Sequence, residues 1–163
     1  MKATTIIQQK MFKLDALLQQ IIRWRLLDKS IAFTNGCFDI LHNGHIASLS
    51  QAAAVADVLI VAVNSDASTR RLKGDTRPVN NEESRALLLA SLVMVDAVIV
   101  FEEDTPLTLI NALQPDVLVK GGDYTIDQIV GAKEVLANGG RVVINPIVRG
   151  VSTSLIIDKI TRL

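Results

Sequence analysis

The stretch DVLIVAVN, residues 57–64, runs from Val58 to Val63 without a polar residue. Continuous rather than alternating apolarity marks a strand covered on both faces. Four other runs read the same way: IAFTN (31–35) upstream, then DAVIVF (96–101), DVLVK (116–120) and RVVINP (141–146) downstream. Helical patterns lie between them at about 43–56, 81–94, 105–114 and 126–138, with a last one at 152–162. Strict alternation of strand and helix with short connections implies right-handed crossovers. The expected architecture is α/β: a Rossmann-like, doubly wound, five-stranded parallel sheet with helices on both faces. Such sheets bind ligands beyond the carboxyl ends of their strands, at a topological switch point.

Before the first strand, LDALLQQIIRWRLLDKS (14–30) spaces its apolar residues helically, so residues 1–30 read as a helical segment packed on the body. Thr105 and Pro106 read as an N-cap and first helical position, and Asn138-Gly139-Gly140 as a helix stop. A length of 163 residues suits one domain, 1–163. One connection is not short. From Ser65 to about Asn80 no periodicity shows, and a loop of that length in a compact domain is usually functional.

Composition narrows the function. Lys+Arg 17 against Asp+Glu 17 gives no net charge, and aromatics are 4%, so a broad basic face and base-stacking platforms are both missing; nucleic acid is not an expected partner. No apolar run approaches the roughly 18 residues that span a bilayer, because Asp57, Asp96 and Asp116 interrupt the richest regions. Gln8, Gln9 and Lys10 break what a secretory signal would need, and a lone cysteine, Cys37, makes no internal disulfide. A cytoplasmic protein without a membrane partner is expected.

Neither G-x-G-x-x-G nor G-x-x-x-x-G-K-[ST] is present. The end of the first strand instead carries Thr34-Asn35-Gly36-Cys37-Phe38-Asp39, then Leu41-His42-Asn43-Gly44-His45 entering a helix. His42 and His45, three apart at a helix start, project from one side. Gly44 lets a ligand approach the backbone, and helix-start amides favour anions. A phosphate-binding corner is one reading; a zinc pair with Cys37 or Asp39, or a plain capped turn, are the others. Arg70, Arg71, Lys73 and Arg77 crowd the long connection, either as a solvated loop or as a lid over a polyphosphate. Lys120-Gly121-Gly122-Asp123-Tyr124 puts a point charge and open backbone at the expected crevice, although a glycine turn beside a snorkelling lysine is the plainer reading. Ser152 or Thr153, after Arg149, N-caps the last helix, a role compatible with holding phosphate oxygens. Arg85 either pairs with a carboxylate such as Glu82 or reaches a nucleotide. Cys37 reads as packing rather than nucleophile, and Glu102-Glu103-Asp104 as structural.

These residues resemble the nucleotidyltransferase superfamily of cytidylyltransferases and small adenylyltransferases, whose marker is H-x-G-H. The longer strings TNGCFDILHNGHI, VNSDASTRRLKGDTRPVN, FEEDTP, PDVLVKGGDY and KEVLANGG are similar to the bacterial D-glycero-β-D-manno-heptose 1-phosphate adenylyltransferase domains over nearly the whole chain. The resemblance implies that ATP and a heptose 1-phosphate, with Mg2+, give ADP-heptose and pyrophosphate for lipopolysaccharide or a related surface glycan. It implies in-line attack on the α-phosphorus, with His42, His45, Lys73 and Lys120 catalytic. Thr34, Asn35, Gly36, Phe38, Gly44, Arg85, Gly121, Ser152 and Thr153 would bind nucleotide or phosphate, and Asp39 and Asp123 sugar or magnesium. Two departures stand out: S-T-S replaces S-T-T before the last helix, and no sugar-kinase half is present, so a separate heptose kinase and a phosphatase are expected upstream. A homodimer is compatible with the apolar leading helix. The rival readings are a cytidylyltransferase acting on a small polyol or amino-alcohol phosphate, and a non-catalytic nucleotide-binding or zinc-binding regulator.

Overall fold

In the computed structural model of the chain the described residues are 5–146, 148 and 150–163. Six strands form one sheet: β1 (Met11–Phe12), β2 (Ile31–Gly36), β3 (Val58–Asn64), β4 (Ala97–Phe101), β5 (Val117–Gly121) and β6 (Arg141–Asn145). Their order is β1-β4-β3-β2-β5-β6, and every pairing is parallel. The five expected strands are all present, and the reversal of order falls at β2. The sixth, β1, pairs only Met11 with Val98 and Phe12 with Ile99. Two residues carry no readable period, so the sequence showed this edge strand only as a loose start.

The helices are α1 (Thr5–Gln9), α2 (Leu14–Leu26), α3 (Asn43–Ala53), α4 (Asp66–Lys73), α5 (Glu82–Ala90), α6 (Leu107–Leu113), α7 (Ala132–Ala137) and α8 (Thr153–Ile160). The unbroken apolarity of β3 is used on both sides. Val58, Ile60 and Ala62 pack with Leu17 and Ile21 of α2, Leu109, Ile110 and Leu113 of α6, and Val135 of α7. Leu59, Val61 and Val63 pack with Leu49 and Ala52 of α3 and with Ala86 and Leu89 of α5. The three aspartates that interrupt the apolar runs serve the opposite edge of the sheet. At a strand's amino end an N–H has no ladder partner and must find another acceptor. Asp57 accepts from the amide of Ser30 at 2.9 Å, Asp96 from that of Leu59 at 2.8 Å, and Asp116 from that of Ile31 at 2.8 Å.

The segment after Ser65, expected to be a structureless loop, begins with α4. Ser65 Oγ accepts from the Ser68 amide at 3.1 Å, Asp66 stands in the first turn, and Arg70, Arg71 and Lys73 stand in the last. Caps and charges that complement the helix dipole hold these two turns in place of an apolar stripe. Gly74, at φ 97°, ends it. Helix α6 starts one position later than expected, with Pro106 at the cap and no side-chain bond there. The expected helix at 126–138 is a 3-10 turn, Ile126–Gln128, followed by α7, and it stops at Asn138 with Gly139 at φ 80°. No helix among the described residues is long and apolar enough to cross a membrane.

Gly140 is the tightest backbone approach at that stop. A Cβ there would lie 2.7 Å from the carbonyl oxygen of Asp116, which already accepts from the Arg141 amide at 2.9 Å. Backbone tied into a sheet cannot move aside cheaply. Gly140→Ala should lower stability by about 1–3 kcal/mol, read as a reduced denaturant midpoint at unchanged slope.

Candidate active site

Strand β2 stays paired with β3 as far as Gly36 and Val63, but with β5 only at Ala32–Val117 and Phe33–Leu118. Beyond Phe33 the strands β2 and β5 part, and a cleft of about 640 Å³ opens between their carboxyl ends. Asn35 and Gly36 line it from β2, and Lys120 from β5. Lys120 Nζ bridges the gap, donating to Asn35 Oδ1 at 3.3 Å. Burial lowers the pKa of Lys120 below the ordinary lysine range; nearby Cys37 opposes that shift and Lys73 adds to it. Lys73, the last residue of α4, lines the same cleft and makes no ion pair among the described residues. Two lysines therefore line one space, and the two carboxylates that also line it, Asp39 and Asp104, are paired with Arg77 and Arg71.

His42 caps α3, its Nδ1 accepting from the His45 amide at 3.4 Å, which leaves the proton of the neutral ring on Nε2 as a donor. A Cβ on Gly44 would stand 3.0 Å from the His42 ring, so the glycine lets that ring fold over the helix start. The two imidazoles stack with centroids 3.8 Å apart and planes at 21°. Burial lowers the pKa of His45 to about 4, with His42 adding to the effect, and burial lowers His42 as well. Both rings are thus neutral near pH 7, not the pair of positive charges that a histidine corner suggests. His45 Nδ1 is buried and has no hydrogen-bond partner, an orphan that a ligand atom would satisfy. Phe38, at φ 49°, tilts its ring against His45 at a centroid distance of 5.4 Å. Across the cleft, Ser152 Oγ accepts from the Leu155 amide at 3.2 Å and Thr153 Oγ1 donates to the Ile40 carbonyl at 3.4 Å, so the start of α8 faces the histidines.

Several expected ligands are placed otherwise. Arg85 is fully buried. Its guanidinium donates to the carbonyls of Asn80, Cys37 and Asn64 at 2.9, 2.6 and 2.8 Å and to the Asp66 carboxylate at 2.7 Å. With four acceptors engaged it is a strut rather than a phosphate ligand, and its partner is Asp66, not Glu82. Asp39 is likewise saturated, by Arg77 and the amides of Val79 and Asn80, and is not free for sugar or magnesium. Thr34 is buried within β2, and Gly121 passes 3.2 Å, at its would-be Cβ, from Ser48 Oγ; neither lines the cleft. Asp123 is exposed outside it. The basic cluster divides: Arg71 pairs with Asp104 at 2.7 Å, Arg77 with Asp39 at 2.5 Å, and of the three α4 cations only Lys73 turns to the cleft. Arg149 lies outside the described residues.

The sequence reading missed the far wall, where Tyr124, Gln128, Ile129 and Val130 face Leu72 and Pro106. The available sign was the Thr125/Gln128 capping box, which breaks the expected helix and frees Ile129 and Val130 to form that wall. Cys37 Sγ sits 4.0 Å from Asn64 Oδ1, consistent with packing. No group of three or more His, Cys, Asp or Glu among the described residues could hold a metal, which leaves the histidine pair short of the ligands zinc takes.

The chain is similar to known proteins over most of its length. A family model described as "Cytidylyltransferase-like" matches residues 33–159. The chain is 51% identical over 158 residues to the "Bifunctional protein HldE" of Koribacter versatilis (strain Ellin345), covering 97% of this chain and 32% of that protein. It is 57% identical over 146 residues to the protein of the same name from Hyphomonas neptunium (strain ATCC 15444), covering 90% and 30%. The chain thus spans about a third of the length of these curated relatives. A crystal structure of the lipopolysaccharide core biosynthesis protein from Thermoplasma volcanium GSS1 superposes with a TM-score of 0.59 at 31% identity, over 74% of this chain and 97% of that one.

The buried imidazole has a consequence for stability. With a folded-state pKa of about 4 against 6.5 unfolded, His45 takes up its proton in the unfolded chain first. Its contribution is complete above pH 6.5 and is lost as pH falls toward 4. Denaturant midpoints measured from pH 7 to pH 4.5 should fall less steeply in His45→Gln than in the parent chain.

Proposed function

We propose that this chain, which belongs to the cytidylyltransferase-like family, is an adenylyltransferase that joins ATP to D-glycero-β-D-manno-heptose 1-phosphate, giving ADP-heptose and pyrophosphate. One observation carries the reading: Lys73 and Lys120 converge, unpaired, on a cleft whose other polar wall is two stacked neutral imidazoles and a helix start. A site with two unpaired lysines and poised N–H donors suits phosphoryl-type transfer, which needs positioning and charge neutralisation above all. The likeness to the HldE proteins and to a lipopolysaccharide core biosynthesis protein supports assigning the product to lipopolysaccharide or a related surface glycan.

In this mechanism a phosphate oxygen of the sugar phosphate attacks the α-phosphorus of ATP. As the new P–O bond forms, the α–β bridging P–O bond breaks, and its electrons leave with pyrophosphate. The attacking oxygen is already anionic, so no general base is required. His42 donates from Nε2 to the oxygens on which charge grows, and His45 offers its orphaned nitrogen edge to the same group. Lys73 and Lys120 neutralise phosphate oxygens, and Asn35 orients Lys120. The amides and hydroxyls at Ser152 and Thr153 hold the β- and γ-phosphates. Magnesium, bound with ATP, would supply counter-charge to the phosphates; the nearby carboxylates of Asp39 and Asp104 are engaged by Arg77 and Arg71. The reaction suits a cytoplasmic setting where ATP is plentiful, and its substrate is supplied by a sugar kinase and a phosphatase. The outer apolar residues of α2, Ile22 and Leu26, suit a homodimer contact.

Pyrophosphate release from ATP and CTP, each against a panel of sugar, polyol and amino-alcohol phosphates, tests the assignment. ATP with the heptose 1-phosphate should be preferred, and His42→Ala should lower kcat by on the order of 10²–10³. A preference for CTP with a polyol or amino-alcohol phosphate would overturn the assignment, and stoichiometric zinc without turnover would replace it by a regulator. Because the resting imidazoles are neutral and a triphosphate favours their charged forms, ATP binding at pH 6–7 should take up a fraction of a proton. Titration calorimetry in buffers of different ionisation enthalpy measures that uptake.

A further inference from the structure

Asp39 is the most deeply buried carboxylate lining the cleft, with its side chain 1% exposed, and both of its oxygens are already engaged by protein donors. Oδ1 accepts from the amides of Val79 at 2.8 Å and Asn80 at 2.9 Å, and Oδ2 accepts from Arg77 Nε at 2.5 Å and from the Val79 amide at 2.9 Å. Asn80 Nδ2 returns a bond to the Asp39 carbonyl at 2.8 Å. Burial alone would raise the pKa of this carboxyl; the Asn80 and Val79 amides and Arg77 hold it below the usual range. On the other side of the same segment Arg85 grips the Asn80 carbonyl and joins it to the carbonyls of Cys37 and Asn64. Residues 77–80 are therefore fixed from two directions to the turn that leads into His42.

Gly74, directly after Lys73, is tied to this segment through its carbonyl, which accepts from the Arg77 amide at 3.0 Å. Lys73 is exposed and has no ion pair of its own among the described residues, so only its backbone neighbours determine where its charge stands. We propose that Asp39, Arg77 and Arg85 are positioning residues, a buried carboxylate–guanidinium clamp that holds Lys73 in register with the His42/His45 corner. The clamp touches no phosphate. It acts by keeping two charge-stabilising groups, carried on separate elements, at one spacing, and misplacement by about 1 Å is enough to cost on the order of 10²-fold in rate. This inference rests on the nucleotidyl-transfer reading of the cleft.

A double-mutant cycle on the full chain tests it, using Asp39→Asn, Arg77→Gln and the pair, with amide hydrogen exchange measured alongside. Arg77 is 15% exposed in its side chain, so its replacement spares the core. If the clamp positions Lys73, each single variant and the double lose a similar 10–100-fold in kcat, non-additively. The KM for sugar phosphate and the magnesium dependence stay within about threefold, and protection at Val79 and Asn80 falls in every variant. If Asp39 itself binds sugar or magnesium, Arg77→Gln keeps wild-type kcat while Asp39→Asn shifts KM or the magnesium requirement; that result overturns the proposal. Should Asp39→Asn fail to fold, Arg77→Gln decides alone by the same kcat and exchange readouts. Lost protection without any change in kcat would also overturn it. An inactive parent chain with intact Val79 and Asn80 protection would instead refute the transferase reading.

Discussion

The sheet is organised by the unequal partnership of β2. Along one side it is hydrogen-bonded to β3 for its whole length, and along the other it meets β5 at only two positions before the strands part. Complete burial of Ile31, Ala32 and Phe33 anchors the amino end of this seam, while the loss of pairing after Phe33 and Leu118 creates the cleft. The two ends differ. At the amino edge Asp57, Asp96 and Asp116 satisfy strand amides and close the sheet; at the carboxyl edge the seam is open and bridged by the Lys120–Asn35 hydrogen bond.

Charge is distributed by the same logic. In a chain with no net charge, Arg25 pairs with Asp116, Lys29 with Asp57, Arg71 with Asp104, Arg77 with Asp39 and Arg85 with Asp66. The exposed pairs contribute little individually, but they leave the cleft lysines without competing carboxylates. Around the cleft, Asp39 and Asp104 are each paired with an arginine, whereas Lys73 and Lys120 have no ion pair among the described residues. The stacked imidazoles, whose pKa values burial lowers, lie together as neutral rings without repulsion.

The strands were legible because two-sided burial writes continuous apolarity into β2 to β5, and β6, though only partly buried at the sheet edge, keeps a short apolar run; the histidine corner was legible because His42 and His45 follow a strand end directly. What stayed hidden was set by partners. Helix α4 has no apolar stripe; its order comes from the Ser65 cap and terminal charges, which read as a basic loop. Arg85 and Asp39 sat near the right place in the chain, but a sequence shows a charge and not the carbonyls or amides that consume it. Asp123 and Tyr124 are neighbours, yet only the tyrosine faces the cleft, a matter of side-chain direction after Gly122 at φ 137°.

The seam also orders events in time. Ala32 and Val58's neighbour Leu59 pair across a separation of 27 residues, whereas Ala32 and Val117 pair across 85. Long closures come slowly, and a chain made from its amino end can only join segments that already exist. The ladder from β4 through β2 can assemble while β5 is still unmade, and the start of α8 arrives later still. The cleft is thus completed only after most of the sheet exists, and a chain ended before β5 would keep the β4-β3-β2 ladder with that wall of the cleft missing.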